Sequence, residues 1–77
     1  MNATQRKDLE TKIGELEQLI SDIQECADDE RGKYDNLSEG LQQSEKVQQM
    51  EQAADALESA VSSLEEAKSY IEEASQS

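Results

Sequence analysis

The chain has 77 residues, 19 of them acidic and 7 basic, and a formal net charge of −12. A chain this short forms one domain at most and buries little surface alone, so we expect oligomerisation or very regular helix packing to stabilise it. The charge argues against direct binding to nucleic acids or anionic membranes, because both depend on Lys and Arg. One cysteine, no signal-like N-terminus and no long apolar run favour a cytoplasmic protein.

The first predicted helix covers about residues 4–35, and Asn2 or Thr4 can cap its start. Its apolar residues alternate at steps of four and three, the heptad pattern of a coiled coil. They are Leu9, Ile13, Leu16, Ile20, Ile23, Ala27 and Tyr34, with Glu30 in the one remaining position of the stripe. Cys26 is next to this stripe, and we expect it to be a small buried hydrophobic residue.

The predicted connection covers residues 36–43. Asn36 and Glu39 have the spacing of a capping box that opens a short turn, and Gly40 gives the backbone freedom. Ser44 is a suitable cap for the next helix. The sequence therefore predicts a break between two long helices.

The second predicted helix covers residues 44–75 and has the clearest repeat in the chain. Between Met50 and Ala74, a large apolar residue, a Glu, a variable residue and an Ala recur every seven residues. Its heptad stripe consists of Val47, Met50, Ala54, Leu57, Val61, Leu64, Lys68 and Ile71. Two long helices with a short connection pack as an antiparallel hairpin. The predicted fold is an all-α, two-helix coiled-coil hairpin in which Ala27 faces Ala54 and Ile20 faces Val61.

Small and apolar residues beside the two stripes widen the apolar face beyond what a two-helix contact needs. These residues are Leu19, Cys26, Ala53, Ala60 and Ala67. They predict a second hairpin on this side, which gives a homodimeric four-helix bundle. The alternative is that alanine is present only because it is the best helix former.

The residue types argue against catalysis. There is no histidine, so the usual pairs of base and nucleophile cannot be built. The consecutive acids at 28–30 point in different directions on a helix, and no calcium loop or glycine-rich phosphate loop is present. We expect no enzyme activity, cofactor, metal site or small-molecule substrate.

Acidic residues form a face along the second helix, where Lys68 is the only basic residue after Val47. The candidate partner-binding residues are Glu51, Asp55, Glu58, Glu65, Glu66, Glu72 and Glu73. Most of them lack a basic neighbour in sequence, which favours a basic partner protein. The alternative is a face that only keeps the protein soluble. Tyr70 is a possible exposed anchor, since tyrosine is favoured at binding hot spots.

The run from Tyr34 to Gln42, Tyr-Asp-Asn-Leu-Ser-Glu-Gly-Leu-Gln, resembles the hairpin of small uncharacterised helical proteins of bacteriophages and other mobile elements. Ser38 stands where those proteins usually have proline. The resemblance covers about residues 31–74 and implies a phage origin in the cytoplasm of a bacterial host. Small acidic phage proteins include inhibitors of host defence proteins that handle nucleic acids.

The leading functional hypothesis is a non-catalytic protein-binding module. In its most specific form, it is an acidic phage accessory protein that covers the basic surface of a host nucleic-acid-handling or defence protein. The alternative hypothesis is a self-associating structural or assembly coiled coil that has no host target.

Overall fold

The computed structural model describes residues 1–37 and 44–77. Two helices, α1 (Ala3–Asp35) and α2 (Glu45–Ser75), pack along each other, and no strand is present in these two ranges. Arg6, near the start of α1, donates a hydrogen bond to the carbonyl oxygen of Ser77, just beyond the end of α2. This contact shows that the helices are antiparallel. The predicted all-α helical hairpin is confirmed, and it forms a rod of 58 × 15 × 13 Å.

Side-chain caps fix the start of each helix. The Asn2 side chain accepts a hydrogen bond from the Gln5 N–H at 2.8 Å, and the Gln5 side-chain oxygen accepts one from the Asn2 N–H at 3.1 Å. At the start of α2, the Ser44 hydroxyl oxygen accepts a hydrogen bond from the Val47 N–H at 3.3 Å. Asn2 and Ser44 are therefore the caps, as the sequence predicts, and Thr4 is inside α1.

The predicted capping box between Asn36 and Glu39 cannot be followed, because Glu39 and Gly40 are outside the residues that the structure describes. Asn36 itself has a different role. It caps the C-terminus of α1, where its N–H donates to the Gly32 carbonyl oxygen at 3.1 Å.

We call the two heptad stripes together the seam. Each seam residue is buried or half-buried, so the period of the sequence places the contact between the helices correctly. Ala27 and Ala54 are fully buried and Val61 is 5% exposed. The complete burial of both alanines agrees with their predicted facing positions. Among the described residues no large side chain is fully buried, so the seam is a narrow core.

The predicted burial of Cys26 is wrong for a single hairpin. Cys26 is exposed, and Leu19 on the same side of α1 retains 46% exposure. Each residue adds a rotation of about 100° along a helix, so a residue adjacent to the seam points sideways from it. Nothing in residues 1–37 and 44–77 covers that direction.

Candidate protein-binding surfaces

The hairpin has two long sides, which we call flanks, on either side of the seam. The acidic flank consists of the residues that follow every second seam residue: Glu10, Glu17, Gln24 and Arg31 on α1, and Glu51, Glu58, Glu65 and Glu72 on α2. The small-residue flank lies on the opposite side: Lys12, Leu19, Cys26 and Lys33 on α1, and Lys46, Ala53, Ala60, Ala67 and Ala74 on α2. Arg31 contacts Glu58 across the hairpin. The acidic positions of both helices therefore share one side, and the small residues share the other.

Arg31 joins the two helices on the acidic flank. Its Nε donates to Glu58 Oε1 at 2.9 Å, its Nη2 lies 2.8 Å from the same oxygen, and Nη2 also donates to Asp55. These hydrogen bonds, first that to Asp55 and then that to Glu58, raise the pKa of Arg31 above its ordinary value. Two of the seven predicted partner-binding acids are thus paired within the chain, with a basic residue that is distant in sequence.

Lys68 forms the second link on this flank. It occupies a seam position, where its stem is half-buried, and its ammonium group reaches Glu17 Oε1 at 3.3 Å and Glu72 Oε1 at 3.7 Å. The hydrogen bond to Glu17 is the main reason why the pKa of Lys68 is raised. Glu72 therefore also has an internal partner. The sequence signal for this contact between the helices is Lys68 itself, a charged residue at a position where the heptad pattern predicts an apolar one.

Tyr34 is half-buried at the other end of the seam. Its hydroxyl group donates a hydrogen bond to the Glu51 side chain, which is the main reason why the pKa of Tyr34 is raised. Tyr34 combines packing and a polar contact across the hairpin, as amphipathic tyrosines commonly do. Glu51 is therefore a structural partner of Tyr34 in addition to being a candidate binding residue.

The remaining predicted acids, Glu65, Glu66 and Glu73, lie exposed on the second half of α2. In the part of the chain that the structure describes, no basic side chain lies within ion-pair distance of any of the three. They give this half of α2 a local excess of negative charge that the chain leaves unpaired. These three residues are the acids of the predicted set that remain open to a partner.

The small-residue flank presents little charge along α2. From position 49 to position 74, the residues of α2 on this flank, together with those next to them on the outer side, are all uncharged. They are Gln49, Ala53, Ala56, Ala60, Ser63, Ala67, Tyr70 and Ala74. The predicted exposure of Tyr70 is confirmed, at 64%. The self-association residues predicted from the sequence lie together on this flank and are exposed, except for half-buried Ala60.

The described ranges contain no cluster of three or more His, Cys, Asp or Glu side chains that could hold a metal ion. A shallow, open depression at the start of α1 is lined by Met1, Gln5, Asp8 and Leu9, so it offers one carboxylate group. Neither α1 nor α2 is both long and apolar enough to cross a membrane. The surface features of the hairpin are therefore its two flanks.

Comparison of the chain with protein-family models, curated proteins and solved structures gives no match. The resemblance of the hairpin sequence to phage proteins therefore stays a prediction. The candidate surfaces are defined by their own geometry: an acidic flank with two internal basic links, and a small-residue flank on the opposite side.

Proposed function

We propose that this protein is a non-catalytic protein-binding module that binds a basic surface of a partner protein through the second half of α2. The observation that supports this proposal is the set of three exposed acids, Glu65, Glu66 and Glu73, without an ion-pair partner among the described residues. Their negative charge is not compensated within the described part of the hairpin. A basic partner would supply the opposite charge.

The two internal links assign different roles to the acids of α2. Asp55 and Glu58 are already bound by Arg31 of α1, so they contribute mainly to holding the helices together. Glu72 is bound by Lys68 within α2. Free carboxylates attract a basic surface at long range and accelerate association, and this attraction weakens as salt is added. Binding through Glu65, Glu66 and Glu73 should therefore be fast and sensitive to salt.

In its most specific form, the proposed partner is a nucleic-acid-handling or defence protein of a bacterial host. Surfaces that neutralise phosphates are rich in Lys and Arg, so such proteins carry the basic patches that Glu65, Glu66 and Glu73 would fit. The resemblance of residues 31–74 to phage proteins points to the same class. The hairpin would inhibit its partner by covering the surface that binds DNA or RNA.

Capture from a bacterial lysate at low and high salt, with matched variants, tests this proposal. The variant E65K/E66K/E73K reverses the three open acids, and E25K/D28K/D35K makes the same change in net charge on α1. All six residues are exposed, so both variants should retain the helical circular dichroism spectrum. We expect the wild type and the α1 variant to retain a discrete protein at low salt and release it at high salt. The α2 variant should not capture it.

Duplex DNA supplies the second step of this experiment. If the captured protein binds DNA, added duplex should displace it from the hairpin, because both would occupy one basic surface. Equal loss of capture in both variants would show that only net charge matters, and equal retention would show that another surface binds. Either result refutes the assignment to the second half of α2.

The alternative function is a self-associating assembly protein that has no host target. The small-residue flank favours self-association, because it leaves apolar surface uncovered on the single hairpin. This alternative predicts a defined oligomer that captures nothing from the lysate at low salt.

A further inference from the structure

We infer that the small-residue flank is the contact with a second copy of this chain, and that the two hairpins lie side by side in the same direction. This inference does not rest on the proposed binding of a basic partner, because it concerns the opposite flank. It goes beyond dimer formation, since it assigns the face, the orientation and the residues that meet.

The first support is the thin core of the single hairpin. Within the described residues only Ala27, Ala54 and Val61 are buried, and no large side chain is fully buried. Domains below about 80 residues rarely gain enough stability from one core and often oligomerise. The exposed half of Leu19 is apolar surface of the kind that a second copy would cover.

The second support is area. The chain exposes 5549 Å², whereas a compact monomer of its mass, 8.6 kDa, exposes about 4,700 Å². A flank 58 Å long and 13–15 Å wide offers roughly 800 Å², which is what each partner contributes to a standard interface. Covering one flank of each hairpin therefore provides the area that a stable dimer needs.

The third support is charge, which selects the flank. The acidic flank places Glu10, Glu17, Glu65 and Glu72 along its length, so two copies would repel each other there. On the small-residue flank, the charged residues are Lys12, Lys33 and Lys46, and the flank positions of α2 from 49 to 74 carry no charge. A second copy can approach the alanines closely, because they have only a Cβ atom in their side chains. The same-chain partner therefore fits this flank and not the acidic one.

Orientation follows from the order of residues along α1. If the copies ran in opposite directions with α1 against α1, the symmetry that places Leu19 opposite Cys26 would also place Lys12 opposite Lys33. If they run in the same direction, α1 of each copy packs on α2 of the other. The predicted facing of Ile20 and Val61 then brings Leu19 within about 3 Å, along the axis, of Ala60 in the second copy. Large side chains of α1 therefore meet the alanines of α2, whereas copies in opposite directions would pack large residues on large ones and alanines on alanines. In the same register, Lys33 comes level with Lys46 of the second copy. Lysines meet in either arrangement, so side-chain size selects the same direction.

Sedimentation equilibrium of the purified chain tests the contact. We expect twice 8.6 kDa for the wild type and 8.6 kDa for A53E/A60E, which places carboxylates on the flank level with Cys26 and Leu19. The control S62E/S69E adds the same charge on exposed residues away from the flank and should remain dimeric. L19A should raise the dimer dissociation constant roughly tenfold to hundredfold, since both copies lose the contact of about half of a leucine side chain. A monomeric wild type, or equal dissociation of both Glu variants, overturns the inference.

The distance between two spin labels tests the orientation of the copies, and the labelled variants place no new charge on the small-residue flank. A label on Q76C in a C26S background marks the open end of each hairpin. In same-direction copies, the two labels lie at one end of the bundle, within a bundle width of each other. A separation close to the 58 Å rod length would overturn the same-direction arrangement. Because no binding partner is present in either measurement, failure here is distinguishable from failure of the proposed function.

Discussion

Val61 gives the sharpest test of the seam. It is 5% exposed, and it occupies a seam position at the middle of α2. Val61→Ala removes two methyl groups, which corresponds to about 1.6 kcal/mol at about 0.8 kcal/mol for each buried group. Alanine recovers up to about 0.7 kcal/mol because it is the better helix former, and the cavity that remains adds a cost. The net loss of unfolding free energy should be about 1–2 kcal/mol.

Urea unfolding followed by circular dichroism measures this change. All samples should have the same protein concentration, because the stability of a self-associating protein depends on it. The neighbouring exposed residue supplies the control: Ser62→Ala should leave stability unchanged or raise it by up to about 0.7 kcal/mol. In thermal unfolding, V61A should lower Tm by roughly 4–8 °C for each kcal/mol lost. If V61A is as stable as S62A, Val61 does not pack against α1 and the helix pairing is wrong.

Three further predictions concern the polar contacts of the hairpin. Arg31→Gln removes the link to Asp55 and Glu58, so Tm should fall by a few degrees. The fall should be larger at low salt than at high salt, because salt screens the ion pairs of the wild type. An unchanged Tm at low salt would contradict the role of Arg31. Ser44→Ala removes the cap of α2 and should cost about 1 kcal/mol in urea unfolding, whereas a loss no larger than that of S62A would argue against capping. The pKa of Tyr34 is raised from 10.0, so its contribution to stability is present below pH 10 and is lost as pH rises through the raised pKa. In the variant Y70F, Tyr34 is the only tyrosine, so the absorbance change with pH reports Tyr34 alone. The midpoint of this titration should lie above pH 10, and adding E51Q should lower it. The same midpoint with and without E51Q would refute the Tyr34–Glu51 hydrogen bond.

The sequence predicts the helices and the seam well, because one physical rule controls both. Apolar residues at steps of three and four stay on one side of a helix. The repeated apolar positions, which include Ile20 on α1 and Leu57 on α2, therefore identify the face of each helix that packs. The helix starts are equally readable, since Asn2 and Ser44 have side-chain oxygens that accept from the first turn. Local chemistry therefore determines most of this fold.

The pairing of charges was not predicted, because it depends on which sides of the helices meet. Arg31 is far from Asp55 and Glu58 in sequence, so reading α2 alone leaves these acids without a basic neighbour. Similarly, Cys26 is next to the seam but points away from it, and whether such a residue is buried depends on what covers the flank. Both features belong to the assembled hairpin.

The most direct measurement of the central claim is the affinity for the captured basic partner, titrated against salt for the wild type and the two charge-reversal variants. The wild type and E25K/D28K/D35K should bind tightly at low salt and lose affinity steadily as salt rises. E65K/E66K/E73K should show little binding at any salt concentration. Binding by this α2 variant with the same affinity and salt dependence as the wild type would contradict the assignment of the partner site to Glu65, Glu66 and Glu73.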